Sequence, residues 1–404
     1  MLKTILKLFF IVTILNKLIL EILGNDLVVN YFDEIICIIL FFYLVFKNKI
    51  PKTYSILIII FVGINIISTI QSNFPLDFNR FFLDIFLFLK PIIFIMALSR
   101  VDRDTFQSIF YFFFKISRAY IFLAILLLPI HYIFEIFSIY DTRFGLKSYS
   151  FIAHNAGEFL NIVLITGIIS TMGKIKWQNN IFITFCLILL ISTLRYKAFV
   201  VAFAYLLFQN RIIFRSSYNF LKRKVLEKKL FSIRTFLAIL PLTILILIPG
   251  WTQFDQYFLT TDEFSPRLLL TIEGINIFNE NFPFGVGPGY YGSAAASFFY
   301  SPVYTDLGWD NNWGLGEDPD VNFLNDNFWP MILAQYGLAG LIVVLLIYKK
   351  FIYDYLSFKS SHSFVYSLLS LFSLIIGTIG SAIFIGYLGL FYILNKFIID
   401  NAPK

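Results

Sequence analysis

Three cations and a few carboxylates carry the chemistry this chain can do. Arg195 and Lys197 stand two residues apart between long apolar runs, in Ser192-Thr-Leu-Arg195-Tyr-Lys197. Arg267 is the one basic residue in 251–327, a stretch holding 11 Asp and Glu residues. An arginine among so many carboxylates either pairs with them or meets a strongly anionic ligand. A guanidinium holds a phosphate through two parallel hydrogen bonds. Arg195, Arg267 and Lys197 together would suit a diphosphate. The competing reading of Arg195 and Lys197 is a pair that snorkels from a helix end to a membrane interface.

The other candidates also have two readings each. His154 and Glu158 are four residues apart, which would place them on one helix face. They either hydrogen-bond each other or line a polar cavity. Asp326, in Asn325-Asp326-Asn327, is either a helix N-cap or a general base at the mouth of a helix bundle. Tyr290, Tyr291, Trp309 and Trp313 offer flat faces that suit sugar rings, but Tyr and Trp also mark membrane interfaces. The run Asp306–Asp320 lacks the ligand spacing of a calcium loop, so no metal site is expected. Gly285, Gly287 and Gly289 either expose backbone N–H groups to a phosphate or make a sharp bend. Lys90, near the middle of an apolar run, needs a carboxylate partner that sequence does not identify. Arg80 and Asp84 add polar groups at the start of that run.

These residues must be positioned by membrane helices. Of 404 residues, 58% are apolar and 14% charged, against roughly 45–50% and about 25% in soluble domains. Continuous apolar runs near 20 residues recur, each about long enough to cross a hydrocarbon core. Their continuity excludes a lipid-facing β-barrel. We expect an all-α integral membrane protein with about 12 spans. They fall near 5–23, 33–47, 53–70, 81–99, 116–137, 151–172, 179–194, 196–214, 232–250, 328–348, 363–380 and 382–398. Residues 1–250 would hold nine spans, 251–327 a large extracytoplasmic loop with short helices, and 328–404 three more spans. The first run lacks a small-residue cleavage site, so it reads as a retained span. Within the loop, Ser265-Pro266 reads as an N-cap and first helical residue, opening a helix to Asn281. Its apolar face would be Leu268, Leu269, Ile272, Ile275 and Phe278.

The net charge is +7. In a soluble protein that would suggest nucleic acid. Here Lys and Arg gather in alternate loops, at 47–52, 174–176, 211–234 and 349–359, which places those loops and both termini in the cytoplasm. No nucleic-acid partner is expected. Cys37 and Cys186 lie in apolar runs and offer neither a disulfide framework nor a metal spacing.

The arrangement resembles the O-antigen polymerase and O-antigen ligase family of bacterial surface-polysaccharide assembly. In sequence the resemblance lies in three places. They are Ser192–Lys197, then Ser265-Pro-Arg267 with the Pro283-Phe-Gly-Val-Gly-Pro-Gly289 turn, then Asn325–Asn327 followed by Gln335-Tyr-Gly337-Leu-Ala-Gly340. The resemblance implies a membrane glycosyltransferase of lipopolysaccharide or other polysaccharide biosynthesis in the bacterial inner membrane. Its substrate would be an oligosaccharide on undecaprenyl diphosphate. Arg195 and Arg267 would bind the diphosphate, with no cofactor, and a chain-length regulator would be a partner besides the lipid bilayer. The family's ligases carry a His late in the large loop. This loop has none, which favours a polymerase. Asp326 is then the first candidate base, with Glu158 and His154 next. The alternatives are a ligase and a transporter or flippase of lipid-linked sugars.

Overall fold

The structure, a computed structural model, describes residues 2–24, 31–46, 50–137, 142–143, 145–172, 175–209, 265–312, 314–317, 322–356, 361–379 and 382–402. The expected span at 232–250, the start of the expected large loop, the whole basic 211–234 segment and Trp313 lie outside these. Each of the other eleven expected spans overlaps a helix among the described residues. In chain order these are α1 (Leu2–Leu23), α2 (Phe32–Phe46), α3 (Lys52–Gln71), α4 (Phe78–Leu98) and α5 (Arg103–Phe134). Then follow α6 (Ala156–Ser170), α7 (Lys176–Ser192) and α8 (Tyr196–Gln209). Next come α9 (Pro266–Glu280) and two short helices, α10 (Ala294–Phe298) and α11 (Pro302–Asp306), in the stretch expected to form the large loop. The chain continues through α12 (Phe328–Leu356), α13 (Ser361–Ile379) and α14 (Tyr387–Asn401). A small hairpin, β1 (Thr142–Arg143) with β2 (Leu146–Lys147), interrupts the helices.

By length and composition α3, α4, α5 and α12 can each cross a membrane. α4 is the central one, with 78% of its most apolar window buried against 28% for α3 and α5. It packs on α2, α3, α10 and α14. The outward faces of α3 and α5 expose Ile59, Ile70, Leu126 and Ile133. An apolar surface of this extent suits lipid and not water.

Boundaries move where polar chemistry overrides apolar runs. α5 begins at Arg103, well before 116. Arg118 marks the change: its guanidinium donates to the Ser170 carbonyl at 3.1 Å, to Gln178 Oε1 at 2.9 Å and to Asn179 Oδ1 at 3.1 Å. Phe114 and Phe182 flank it at 4.2 and 4.6 Å. That clamp joins α5 to the end of α6 and the start of α7, and α5 runs about 22 Å past it. α6 starts at Ala156 and not at 151, because the Asn155 side chain caps it by accepting from Glu158 N–H at 2.9 Å. His154 therefore precedes the helix, and the expected shared face with Glu158 does not exist.

α12 is broken at Gly337, which adopts φ 64° and ψ −165°. The break frees the Ala334 and Gln335 carbonyls inside the bundle. The Pro283–Gly289 turn satisfies them: Val286 N–H donates to Ala334 at 2.8 Å and Gly287 N–H to Gln335 at 2.9 Å. The Gln335 side-chain oxygen accepts from Gly289 and Tyr290 N–H groups. Ser68 Oγ on α3 donates to the Gly285 carbonyl at 3.0 Å. The N–H groups of Val286, Gly287 and Gly289 are thus committed to α12 and those of Phe284 and Gly285 to the Asn281 carbonyl, which supports the bend reading of the three glycines.

Lys90 also finds its partners. Its ammonium meets Asp33 Oδ2 at 2.7 Å and Glu34 Oε1 at 2.5 Å at the start of α2.

Candidate functional site

A cavity of about 1040 Å³ opens among the starts of α6, α8, α9 and α14. Its charged lining is Arg195, Lys197, Arg267, Glu158 and Asp326. Five of the residues singled out by type and spacing, from four separate stretches of chain, therefore line one cavity. The charges sum to +3 and −2, leaving the cavity cationic. Leu160, Val201, Ile376, Ile383 and Leu388 supply an apolar side.

Each charged group is placed by a local device. Arg195 sits between α7 and α8. Leu194 before it takes φ 53°, turning the chain sharply between the two helices. The Arg195 carbonyl then accepts the N–H groups of Ala198 and Phe199, opening α8. Lys197 follows in the first turn of α8, within electrostatic reach of Arg195, Arg267 and Asp326. Arg267 lies in the first turn of α9, which opens at Ser265 with Pro266 as its first residue. Ser265 makes no side-chain cap, but its carbonyl accepts from Leu268 N–H at 3.0 Å.

Asp326 does not cap α12. Its carboxylate accepts from Arg267 Nη2 at 2.8 Å, with side-chain exposures of 28% and 29%. Asn327 completes the junction by donating to the Arg267 carbonyl at 2.7 Å and to Thr271 Oγ1 at 2.8 Å. The starts of α9 and α12 are thereby tied together at the cavity mouth. The second anion, Glu158, faces the cavity from α6. Its Oε2 accepts from His154 N–H at 3.2 Å, while Oε1 has no hydrogen-bond partner among the described residues. His154 meets Glu158 through its backbone, and its imidazole does not line the cavity.

The aromatic candidates go elsewhere. Tyr290, Tyr291 and Trp309 are 2%, 0% and 4% exposed and form the loop's own core with Leu270, Ile277 and Leu324. Trp309 stacks on Tyr304 at 5.7 Å and 14°. Tyr291 donates its hydroxyl to the Leu270 carbonyl at 2.6 Å, and burial holds that hydroxyl well above the usual phenol range. The expectation that these faces bind sugar is corrected: they are covered by protein. The same packing corrects the reading of α9. Its buried stripe is Leu270, Gly274 and Ile277, while Ile272 and Ile275 remain exposed. Gly274 allows this close approach, since a Cβ there would lie 3.1 Å from Pro330 and Tyr291.

Sequence reasoning missed several polar lining groups. Asn161 on α6 accepts from Tyr392 OH at 2.7 Å, and that hydroxyl meets Ser373 Oγ at 2.8 Å. Asn325 and Tyr387 also line the space. The available signal was a polar residue inside each of three apolar runs. No family model matches the chain, and no curated protein matches it.

Proposed function

We propose that this protein is a polymerase of lipid-linked oligosaccharide repeat units, working on the outer side of a bacterial inner membrane. The carrying observation is the convergence of Arg195, Lys197, Arg267, Glu158 and Asp326 on one cavity with an apolar side. A polyprenyl diphosphate needs both properties: cations for the phosphates and an apolar wall for the lipid.

In the reaction an acceptor sugar hydroxyl attacks the anomeric carbon of the undecaprenyl-diphosphate-linked glycan. The C–O bond to phosphate breaks, and its electron pair leaves with the lipid diphosphate. Arg195, Lys197 and Arg267 stabilise that growing charge from fixed positions. Glu158 takes the hydroxyl proton. It is the better base because Asp326 is committed to Arg267 at 2.8 Å, whereas Glu158 Oε1 accepts no hydrogen bond among the described residues. Asp326 then orients Arg267. The absence of His between 251 and 327 favours polymerase over ligase.

The twelve-span layout, with cytoplasmic termini and the large loop outside, belongs to the same proposal. Two cavities support it. The large one is lined by the starts of α6, α8 and α14 and the end of α13. A second, of about 530 Å³, is lined by the start of α3, the end of α4 and the ends of α12 and α14. Helix ends segregate as serial crossings require.

The test is elongation of a defined undecaprenyl-diphosphate-linked repeat unit by purified protein in lipid nanodiscs. A ladder of longer lipid-linked glycans is expected. Unchanged repeat units, with vectorial movement of the lipid-linked sugar in vesicles, would replace the polymerase by a flippase.

A further inference from the structure

Lys90 answers to two carboxylates, and that imbalance begins a polar path into the large cavity. The side chains of Lys90, Asp33 and Glu34 are 3%, 6% and 14% exposed. Together they carry one excess negative charge, and one proton makes the triad neutral. Uncompensated charge among apolar helices is costly. Asp33 and Glu34 also lie against each other, an arrangement in which two carboxyl groups share one proton. Cys37 Sγ, 3.9 Å from the Lys90 carbonyl, is the other titratable group on α2 facing the triad.

From the triad the path continues through α1 and α14. Tyr387 packs on Phe32 with ring centroids 6.1 Å apart. Tyr387 lines the cavity together with Glu158, and it lies within electrostatic reach of both Glu158 and Asp33, beside Asn16. Thr13 Oγ1, Asn16 Oδ1 and Glu158 Oε1 are buried with no hydrogen-bond partner among the described residues. Thr13, Asn16 and Glu158 are themselves 0%, 7% and 7% exposed. Glu158 is further faced by His154 and Lys17, and by Tyr120 on α5. Spare hydrogen-bonding capacity at Glu158, and at Asn16 beside Tyr387, gives a proton groups to pass along.

We propose that Asp33, Glu34 and Lys90 form a proton-binding site that receives, by way of Tyr387, the proton Glu158 removes from the acceptor hydroxyl. The inference rests on the polymerase reading for the source of that proton. The balance closes: the new C–O bond forms, the C–O bond to phosphate breaks, the diphosphate leaves with the electron pair, and the proton passes from Glu158 to the triad.

Two measurements test it separately. The first is infrared difference spectroscopy of the nanodisc-embedded protein across pH, following the C=O stretch of a protonated carboxylic acid. The band should titrate in the wild type, vanish in Glu34→Gln and persist in Tyr387→Phe. Glu34→Gln leaves Lys90 paired one to one with Asp33, so it keeps the fold. A wild type with no such band, or a band untouched in both Glu34→Gln and Asp33→Asn, overturns the proton site whatever the protein catalyses. The second is elongation kinetics. Tyr387→Phe and Glu34→Gln should each lower kcat at least about tenfold, below the 10²–10⁴ of a general base, with KM for the donor unchanged and the pH profile displaced. Wild-type kcat and pH profile in both variants would remove the relay. A band that behaves as expected in a protein that elongates nothing would sink the polymerase reading and leave the proton site standing.

Discussion

Arg267 Nη2 lies 2.8 Å from Asp326 Oδ2 across the junction of two helices, 59 residues apart in sequence. The pair is about three-tenths exposed, so its attraction alone adds little to stability. Its value is positional. It aims a guanidinium into a cavity that already holds Arg195 and Lys197.

Arg267→Ala and Arg195→Ala are each expected to lower the elongation rate about 10²–10³-fold, the scale of losing one fixed donor to a developing anion. Expression and detergent-solubilised monodispersity should be unchanged. Arg267→Lys should remain poor, because an ammonium cannot make the two-pronged contact. Elongation assays on a defined lipid-linked repeat unit give the comparison, and full activity in both alanine variants would remove the diphosphate site.

Glu158 and Asp326 should separate. Glu158→Gln keeps the oxygen that accepts from His154 N–H and removes the proposed base, so a loss of about 10²–10⁴-fold in kcat is expected. Asp326→Asn loosens Arg267 but leaves the base, and should raise KM more than it lowers kcat. His154→Ala keeps the backbone bond to Glu158 and removes only a nearby imidazole, so it should displace the pH profile with little change in kcat. The reverse order of Glu158→Gln and Asp326→Asn would return the base to Asp326.

Much of the scaffold was legible because apolar runs and caps are local signals. Ser265-Pro266 opens α9 as its sequence suggests, and Asn155-x-x-Glu158 is a readable capping pattern whose consequence is that His154 stays off the helix. Pairings between distant stretches were not legible. Lys90 finds Asp33 and Glu34 only because α2 packs on α4. The break at Gly337 lies inside an unbroken apolar run and is revealed only by the turn that fills it. Aromatic residues in the loop read alike whether they face a sugar or a core. The fold decides for the core by packing Tyr291 and Trp309 around Tyr304.

That packing makes its own prediction. Trp309→Ala should cost about 3–5 kcal/mol by emptying the loop core. Tyr291→Phe, which forfeits one hydrogen bond to the Leu270 carbonyl, should cost about 1–3 kcal/mol. Thermal unfolding in detergent reads both. Tyr291→Phe should leave KM for the glycan untouched, whereas a raised KM with unchanged stability would restore the sugar-stacking role.

Gly337→Ala should fail structurally. Its φ of 64° strains any L side chain, and a Cβ would lie 2.2 Å from the Pro283 carbonyl oxygen. Backbone strain and overpacking each cost about 1–3 kcal/mol, so a combined loss of about 2–6 kcal/mol is expected. Gly308→Ala is the control: its φ is 70°, but a Cβ there meets nothing within 4 Å. It should show the strain part alone. Equal unfolding temperatures for the two variants would mean that the turn does not seat against α12 as tightly as the geometry requires.

Removing the ammonium of the buried triad tests what holds α2 to α4. Lys90→Met leaves Asp33 and Glu34 buried without a counter-ion, and breaking a buried pair from one side costs about 3–5 kcal/mol. The loss comes from the stranded carboxylates more than from the missing attraction. The triple variant Asp33→Asn, Glu34→Gln, Lys90→Met should therefore recover most of the stability, because no net charge is left among the helices. Unfolding midpoints of the single and triple variants, compared in one detergent, decide the point. If the triple variant is as unstable as Lys90→Met, the ion pairs contribute attraction that neutral side chains cannot replace, and that attraction outweighs the cost of desolvating the three charges.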